Sequence, residues 1–283
     1  DMTINPDFAR VEADDEQVNL TRFSLFFPEK RPFFLEGASQ YDFGVPRTSF
    51  RRPPPALLFY SRRIGLFEGQ PVPILAGGKV TGKLGPYSVG ILSALTEEAT
   101  VLPDEDDEEG ETLYVPRRNY TVLRVKRDVL QQSSVGVIAV NQDDREGYNR
   151  AGGVDFVYRP SNNARIRGMW ARTLDEEDGD GDAAYIGGSW RNELFELRSS
   201  TMRIGNNFNP EVGFVQREGV QRHGFEARYM PWPQRFGIQE VFTGPEASFV
   251  YDLDGELLTR ELSYFAFIRP QIGGSFRVGV ENT

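Results

Sequence analysis

Residues 23–37 read FSLFFPEKRPFFLEG, and this stretch shapes our interpretation of the whole chain. Two Phe-Phe pairs flank the charged triplet Glu-Lys-Arg at 29–31. Pro28 and Pro32 lack a backbone donor, so neither a long helix nor a central strand continues through them. The phenylalanines need an apolar surface, while the charges between them need water or a partner. A segment with both needs is typical of the inside or the mouth of a larger shell.

From residue 56 onward the chain changes to segments of about ten residues with period-2 alternation, a length that suits a tilted membrane strand. Earlier, weaker strand patterns occur at Met2 to Glu12 and at Val18 to Arg22. The alternation predicts thirteen strands, at 56–63, 73–82, 87–98, 112–127, 133–142, 150–159, 164–174, 183–191, 194–204, 217–230, 236–251, 256–269 and 272–281.

Several predicted strands have one apolar face and one charged face. Val154, Phe156 and Tyr158 alternate with Asp155 and Arg159. An apolar face toward lipid and a polar face toward a wet interior is the pattern of an outer-membrane β-barrel.

The predicted connections alternate in length along the chain, except at the tight hairpin turn Asp252 to Gly255. Short ones fall at 83–86, 128–132, 160–163, 192–193, 231–235 and 270–271, and longer ones at 64–72, 99–111, 143–149, 175–182 and 205–216. Short turns at one rim and long loops at the other favour a membrane barrel over a soluble β-sandwich. Bacterial single-chain barrels have even strand numbers, so thirteen strands require either an N-terminal strand or a longer barrel. We favour the longer barrel.

The net charge of −10 is concentrated in two runs, 104–111 and 175–182, which hold 13 acidic residues. The rest of the chain has 29 acidic and 32 basic residues. No basic stripe is present, which argues against nucleic acid as a partner. There is no cysteine, so disulfide and thiolate chemistry are excluded. No apolar run reaches the length of about 18 residues that a transmembrane helix needs.

No motif predicts a catalytic centre, a cofactor or a firm metal site. Residues 178–182 read DGDGD and resemble a calcium loop, but the closing glutamate is missing, so a solvated loop is favoured. His223 is the only histidine and has no cysteine to join it as a metal ligand. A carboxylate-based hydrolase could use Glu12, Glu29 or Glu36, but luminal charges explain these residues equally well.

Six segments together resemble one uncharacterised family of bacterial outer-membrane β-barrel proteins, often found C-terminal to a family-9-like carbohydrate-binding module. They are TINPDF (3–8), VEAD (11–14), VNLTRFSLFFPEKRPFFLEG (18–37), LFYSRRIGL (58–66), GGKVTGKLG (77–85) and FNPEVGFVQR (208–217). The resemblance implies an outer-membrane address and a surface or envelope role, without an established reaction. It also implies that this chain is the N-terminal part of the barrel domain.

We therefore predict an all-β fold, an antiparallel up-and-down transmembrane β-barrel that is partial in this chain. Residues 56–283 would form the wall, and residues 1–55 a luminal or plug-like segment. An internal ion-pair network is predicted for Glu29, Lys30, Arg31, Glu36, Arg62 and Arg63.

The expected role is transport, export or surface display at the cell outer membrane. The expected partners are the lipid bilayer and glycans or other envelope proteins. One alternative is a soluble or surface β-rich domain that binds carbohydrate on exposed aromatics. The other is the carboxylate-based surface hydrolase.

Overall fold

The protein is known from a computed structural model that describes residues 1–4, 26–45, 54–67, 70–101, 112–176, 179–234 and 237–282. Nearly all of its regular structure is β-strand, and thirteen strands form one antiparallel sheet. The all-β, up-and-down antiparallel fold expected from the sequence is confirmed. No helix in the described parts of the chain is both long and apolar enough to cross a membrane.

The strands, in chain order, are β1 (Met2–Ile4), β2 (Ala56–Leu57), β3 (Leu66–Phe67), β4 (Gln70–Pro71), β5 (Ile74–Leu84), β6 (Tyr87–Thr96), β7 (Ala99–Val101), β8 (Leu113–Val115), β9 (Asn119–Val129), β10 (Ser133–Asp143), β11 (Tyr148–Tyr158), β12 (Ala164–Asp175), β13 (Gly181–Arg191), β14 (Phe195–Ile204), β15 (Phe214–Val215), β16 (Val220–Tyr229), β17 (Ile238–Asp252), β18 (Leu257–Pro270) and β19 (Phe276–Asn282). One short α-helix, α1, spans Pro32–Leu35. Two 3₁₀ turns span Ala38–Tyr41 and Ser61–Arg63.

The large sheet has the spatial order β1-β5-β6-β9-β10-β11-β12-β13-β14-β16-β17-β18-β19. From β5 onward each strand of this sheet pairs with the next strand of the same sheet along the chain, in an antiparallel meander. The remaining strands form three small pairs, β2 with β15, β3 with β4, and β7 with β8.

The two faces of the sheet differ in what covers them. On the face that we call the inner face, residues such as Leu92, Val122 and Ile138 are buried. They belong to a core that includes Phe34 and Phe208, which lie outside the large sheet. The strand residues of this core are covered by segments 26–45, 54–67 and 205–219.

The opposite face, which we call the outer face, carries large apolar side chains that are exposed. Registered pairs link Val80 to Ile91 and Ile91 to Leu123, and farther along the sheet they link Val154 to Trp170. Val154 is 51% exposed and Trp170 is 48% exposed. The alternation that the sequence predicted for 154–158 is therefore present, with Asp155 on the inner face.

Twelve of the thirteen predicted strands correspond to strands of the large sheet, with shifts of a few residues. The predicted strand 56–63 is wrong, because this segment forms β2 and then a 3₁₀ turn. Its residues Ala56, Leu57 and Leu58 are all buried, so the alternation needed on a two-faced sheet is absent. The thirteenth strand is instead β1, which pairs with β5.

An N-terminal strand therefore joins the sheet, the alternative that the sequence analysis did not favour. The remainder of the strand predicted at Met2 to Glu12, and the strand predicted at Val18 to Arg22, lie outside the described residues.

The predicted alternation of loop lengths holds only in part. The connections 97–118 and 205–219 are long. The connections 144–147 and 176–180 are about as short as the turn 159–163 at the other end, because the flanking strands extend into the predicted loops. The acidic run 104–111 lies outside the described residues.

Candidate functional site

Segment 26–45 crosses the inner face of the sheet, and glycines of the strands make room for its aromatic rings. A Cβ atom on Gly90 of β6 would lie 3.0 Å from the Tyr41 ring. A Cβ atom on Gly153 of β11 would lie 2.7 Å from the Phe43 ring. Gly90 and Gly153 therefore allow the aromatic rings of segment 26–45 to pack closely against the sheet.

The local sequence explains the compact path of this segment. Pro32 occupies the first turn of α1, where its missing N–H costs no hydrogen bond and its fixed φ fits the helix. Gly37 follows with φ of 70°, a left-handed conformation that glycine adopts without strain. It leads into the turn Ala38–Tyr41, whose Tyr41 hydroxyl donates to the Ile91 carbonyl at 3.0 Å. Burial raises the pKa of Tyr41 to about 12, so this hydroxyl stays protonated.

Glu29 and Arg31 form the first ionic cluster of the segment. Arg31 donates to the Glu29 carboxylate through Nε and Nη2, each at 2.8 Å. It also donates to the carbonyls of Ser61 at 2.7 Å and Ile64 at 2.6 Å. The Ser61 hydroxyl donates to Glu29 at 2.7 Å. Arg31 therefore ties segment 26–45 to the turn Ser61–Arg63.

The pKa of the Glu29 carboxyl reflects opposing effects. Burial raises it, whereas the hydrogen bonds and positive charge of Arg31, with further bonds from the Arg31 backbone N–H and from Ser61, lower it. The lowering effects win, and the pKa lies below its ordinary value of 4.5. The cluster therefore holds Glu29 as a carboxylate.

The other predicted network residues take separate positions. Arg62 donates to the Pro28 carbonyl at 3.3 Å, and its guanidinium lies 5.5 Å from the centre of the Phe27 ring. Arg63 donates to the Gly213 carbonyl at 3.3 Å. The Lys30 backbone N–H donates to Glu29 at 3.0 Å. The structure thus brings Glu29 and Arg31 together, while Arg62 and Arg63 contact backbone carbonyls of neighbouring segments.

Glu36 lies at a second cluster that is centred on Lys79 of β5. The Lys79 side chain is 1% exposed, and its Nζ donates to the carbonyls of Phe33 and Glu36, both at 2.6 Å. Asp1 and Glu36 place carboxylates 3.3 and 3.8 Å from Nζ. Lys79 satisfies carbonyls at the end of α1, a favourable position for a cation. The sequence analysis missed Lys79, although it lies in the GGKVTGKLG segment.

A third cluster, also missed, consists of Arg124 on β9 and Asp155 on β11. Both guanidinium Nη atoms donate to the Asp155 carboxylate at 2.8 Å. Arg124 Nε donates to the Asp42 carbonyl at 3.1 Å, and the Gly44 N–H donates to Asp155 at 3.1 Å. Arg124 is 1% exposed. This buried pair therefore holds the C-terminal end of segment 26–45 against the large sheet.

Segment 205–219 closes over the inner face beside residues 54–67. Its Phe208 and Phe214 are buried, and β15 pairs with β2. The Glu211 N–H donates to Asn149 at 3.2 Å, and the Glu211 carboxylate accepts a bond from Gln142. Burial raises the pKa of the Glu211 carboxyl above its ordinary value, and the carboxylates of Asp175 and Asp144 add to this effect. The Arg118 charge and the Gln142 hydrogen bond offset only part of it.

The remaining sequence candidates lie elsewhere. His223 is on the outer face, with Nδ1 3.1 Å from the Thr201 hydroxyl. In the acidic run 175–182, Asp180 pairs with Arg172 at 2.7 Å and Asp182 with Arg203 at 3.0 Å. Asp178 of the predicted calcium loop and Glu12 of the predicted hydrolase lie outside the described residues. Within those residues, no group of three or more histidine and carboxylate side chains is arranged to hold a metal ion.

Comparison with known proteins gives a family without an assigned activity. A family described as "Domain of unknown function (DUF5916)" matches residues 1–229. Neither the curated proteins nor the solved structures contain a match to the chain. Because the matched residues cover well over half of the sequence, the chain belongs to the DUF5916 family, a family of uncharacterised proteins.

Proposed function

We propose that this protein is an outer-membrane β-barrel protein that transports or exports solutes, with segments 26–45, 54–67 and 205–219 as an internal plug. The observation that carries the proposal is the apolar outer face. Side chains such as Val80, Ile186 and Val278, on strands spread across the sheet, are 56 to 71% exposed. Exposed apolar residues at alternate positions of successive strands are what a lipid-facing wall requires.

The height of the apolar band fits a bilayer. On β11 the outer face runs from Tyr148 at one end to Tyr158 at the other. Ten steps of about 3.4 Å give about 34 Å along the strand. At a tilt of about 40° this corresponds to about 26 Å along the membrane normal, close to the apolar band of about 25 Å in known membrane barrels.

Aromatic side chains occupy the two ends of this band. One end of the sheet holds the turns 85–86 and 159–163, and we call it the short-turn end. Outer-face aromatics lie there on β6, β11, β13, β14 and β16: Tyr87, Tyr158, Trp190, Phe195 and Tyr229. At the other end lie Tyr148 and Tyr251. Aromatic residues at both ends of an apolar band are typical of the interfacial girdles of membrane barrels.

The size of the apolar face favours this proposal over the soluble carbohydrate-binding domain. Thirteen strands spaced by about 4.8 Å give a sheet about 58 Å wide, so the band covers about 1,400 Å² or more. The largest apolar patch on a soluble monomer is about 300–600 Å². The exposed aromatics are also spread over strands from β6 to β18, whereas a sugar platform would gather them in one place. Glycans remain candidate cargo through the family resemblance alone.

Membrane fractionation of the full-length protein tests the location. We expect the protein in the outer-membrane fraction, resistant to extraction by carbonate and dependent on detergent for solubility. Recovery in the soluble fraction without detergent would contradict the proposal.

Conductance in planar bilayers tests the plug. Deletion of residues 23–37 removes the Glu29–Arg31 cluster and the ring contacts of Phe33 and Phe34. We expect a larger conductance than that of the intact protein. An unchanged conductance in a variant that is still folded by circular dichroism would exclude the plug.

A further inference from the structure

A second polar region of the inner face lies toward the short-turn end, away from the plug clusters. Here Lys126 of β9, Arg165 and Arg167 of β12, and Arg159 after β11 lie within four neighbouring strands. Lys126, Arg159 and Arg167 line a cavity of 620 Å³. Arg165 is two residues from Arg167 on the same face of β12, a separation of about 7 Å.

The acidic side chains nearest to this cationic cluster are already paired. Asp128, which also lines the cavity, forms an ion pair with Lys83 at 2.6 Å. Asp155, which shares the inner face, is held by both Nη atoms of Arg124. The described carboxylates of this region therefore leave the cluster without full charge compensation.

In the described parts of the chain, none of these cationic side chains forms a salt bridge with a carboxylate. Within the described ranges, Lys126, Arg165 and Arg167 form no hydrogen bond or ion pair, and the Nε atom of Arg165 is shielded from solvent without a hydrogen-bond partner. The Arg159 guanidinium donates to the neutral Gln132 side chain, at 3.3 Å. Grouping three arginines and a lysine without counter-charges costs free energy through like-charge repulsion and desolvation.

The cavity leaves space for a ligand beside Lys126, Arg159 and Arg167. Arg167 is registered with Gly187 of β13, and the Tyr185 hydroxyl lies over this glycine. Arg165 is registered with Ser189. The guanidinium groups of Arg159, Arg165 and Arg167 each carry a planar fork of N–H donors. Such forks match the geometry of phosphate, sulfate and carboxylate oxygens.

We propose that Arg159, Arg165, Arg167 and Lys126 form a binding site for a small soluble anion that carries a phosphate, sulfate or carboxylate group. Arginine and lysine groups of this kind also select anions in membrane pores. The ligand is a solute and not a lipid headgroup, because the site lies on the same face as the buried core and opposite the apolar outer face. The site goes beyond the proposed function, since it would bind anions wherever the protein resides.

Isothermal titration of the full-length protein in a neutral, phosphate-free detergent tests this proposal, with inorganic phosphate as the probe. The double variant R165Q/R167Q removes two donor forks while it keeps side chains of similar length. We expect its affinity to fall by about tenfold or more, because the variant loses charge-assisted hydrogen bonds to the anion. The matched control is R172Q, which changes an arginine on the outer face of the same strand.

The outcomes separate the alternatives. Phosphate binding that is lost in R165Q/R167Q and kept in R172Q supports the site. Absence of binding to phosphate, sulfate and acetate by the wild-type protein overturns it, as does equal affinity of the double variant and the wild type. Binding only to micelles of a short-chain anionic phospholipid would contradict a soluble ligand. Circular dichroism of each variant checks folding, and none of these results bears on the membrane location.

Discussion

Arg124 and Asp155 form a two-bond ion pair that passes over Gly136 of the intervening strand β10. Both Nη atoms of Arg124 donate to the carboxylate at 2.8 Å. The same two side chains hold the backbone of Asp42 and Gly44. This pair thus links β9 and β11, across β10, to segment 26–45, which covers them.

The substitution Asp155→Asn should destabilise the protein by about 3–5 kcal/mol, because it leaves the buried Arg124 charge uncompensated. The control Asp143→Asn disrupts an exposed pair with Arg150, 3.6 Å long, and should cost about 0–1 kcal/mol. Urea unfolding in lipid vesicles, followed by tryptophan fluorescence, measures both. Equal effects would show that the buried pair does not clamp the segment.

The substitution Gly136→Ala should also weaken this clamp. Its Cβ would lie 2.5 Å from Arg124 Nη1 and 2.7 Å from Asp155 Oδ1, so the pair must shift. We expect a loss of about 1–3 kcal/mol from this overpacking. Gly82→Ala in β5 is the control, since its Cβ meets no atom within 4 Å. A Gly136→Ala protein as stable as the control would contradict the proposed geometry.

The Glu29–Arg31 cluster should make stability depend on pH. The folded-state pKa of Glu29 is below 4.5, so its stabilising contribution is fully present above pH 4.5 and is lost as the pH falls through the folded pKa. Near pH 7, Glu29→Gln should cost about 3 kcal/mol, because Arg31 loses its buried counter-ion. The difference between variant and wild type should shrink in acid. Unfolding curves across this pH range measure it, and a difference that is constant with pH would refute the assignment.

The strands were predictable because each residue of the large sheet lies either on the buried inner face or on the exposed outer face. Phe225, Ala227 and Tyr229 fall on one face in the sequence and on the outer face in the structure. The strand predicted at 56–63 was wrong because this segment is buried among loops, where period-2 alternation does not indicate a strand. The three residues Met2–Ile4 form an edge strand too short for its pairing with β5 to be predicted.

The contacts of segment 26–45 were predictable only within short sequence distances. Glu29 and Arg31 are two residues apart, so their pairing could be expected. Arg124 and Asp155 are 31 residues apart, and their contact depends on the register of three strands and on the room over Gly136. Alternation placed Asp155 on a polar face, but it could not show which cation the aspartate meets.

A charge in the middle of the outer face should be costly in a bilayer. Val154→Arg lies midway between the two ends of the apolar band and should destabilise the protein by about 2–4 kcal/mol in lipid vesicles. Tyr148→Arg, on the same face of the same strand but at the band edge, should cost about 0–1 kcal/mol. Since Val154 is 51% exposed, a soluble protein would tolerate both changes about equally. Equal, small effects would therefore argue against a lipid-facing wall.

The most direct measurement is quenching of Trp170 by lipids that carry bromine atoms in the middle of their acyl chains. Trp190→Phe and Trp232→Phe leave Trp170 as the only tryptophan, near the centre of the outer face. In vesicles of these lipids we predict strong loss of Trp170 fluorescence, and weaker loss for a protein that keeps only Trp232, which lies beyond the end of β16. Trp170 fluorescence that is identical in brominated and unbrominated vesicles would contradict the claim that this face meets lipid.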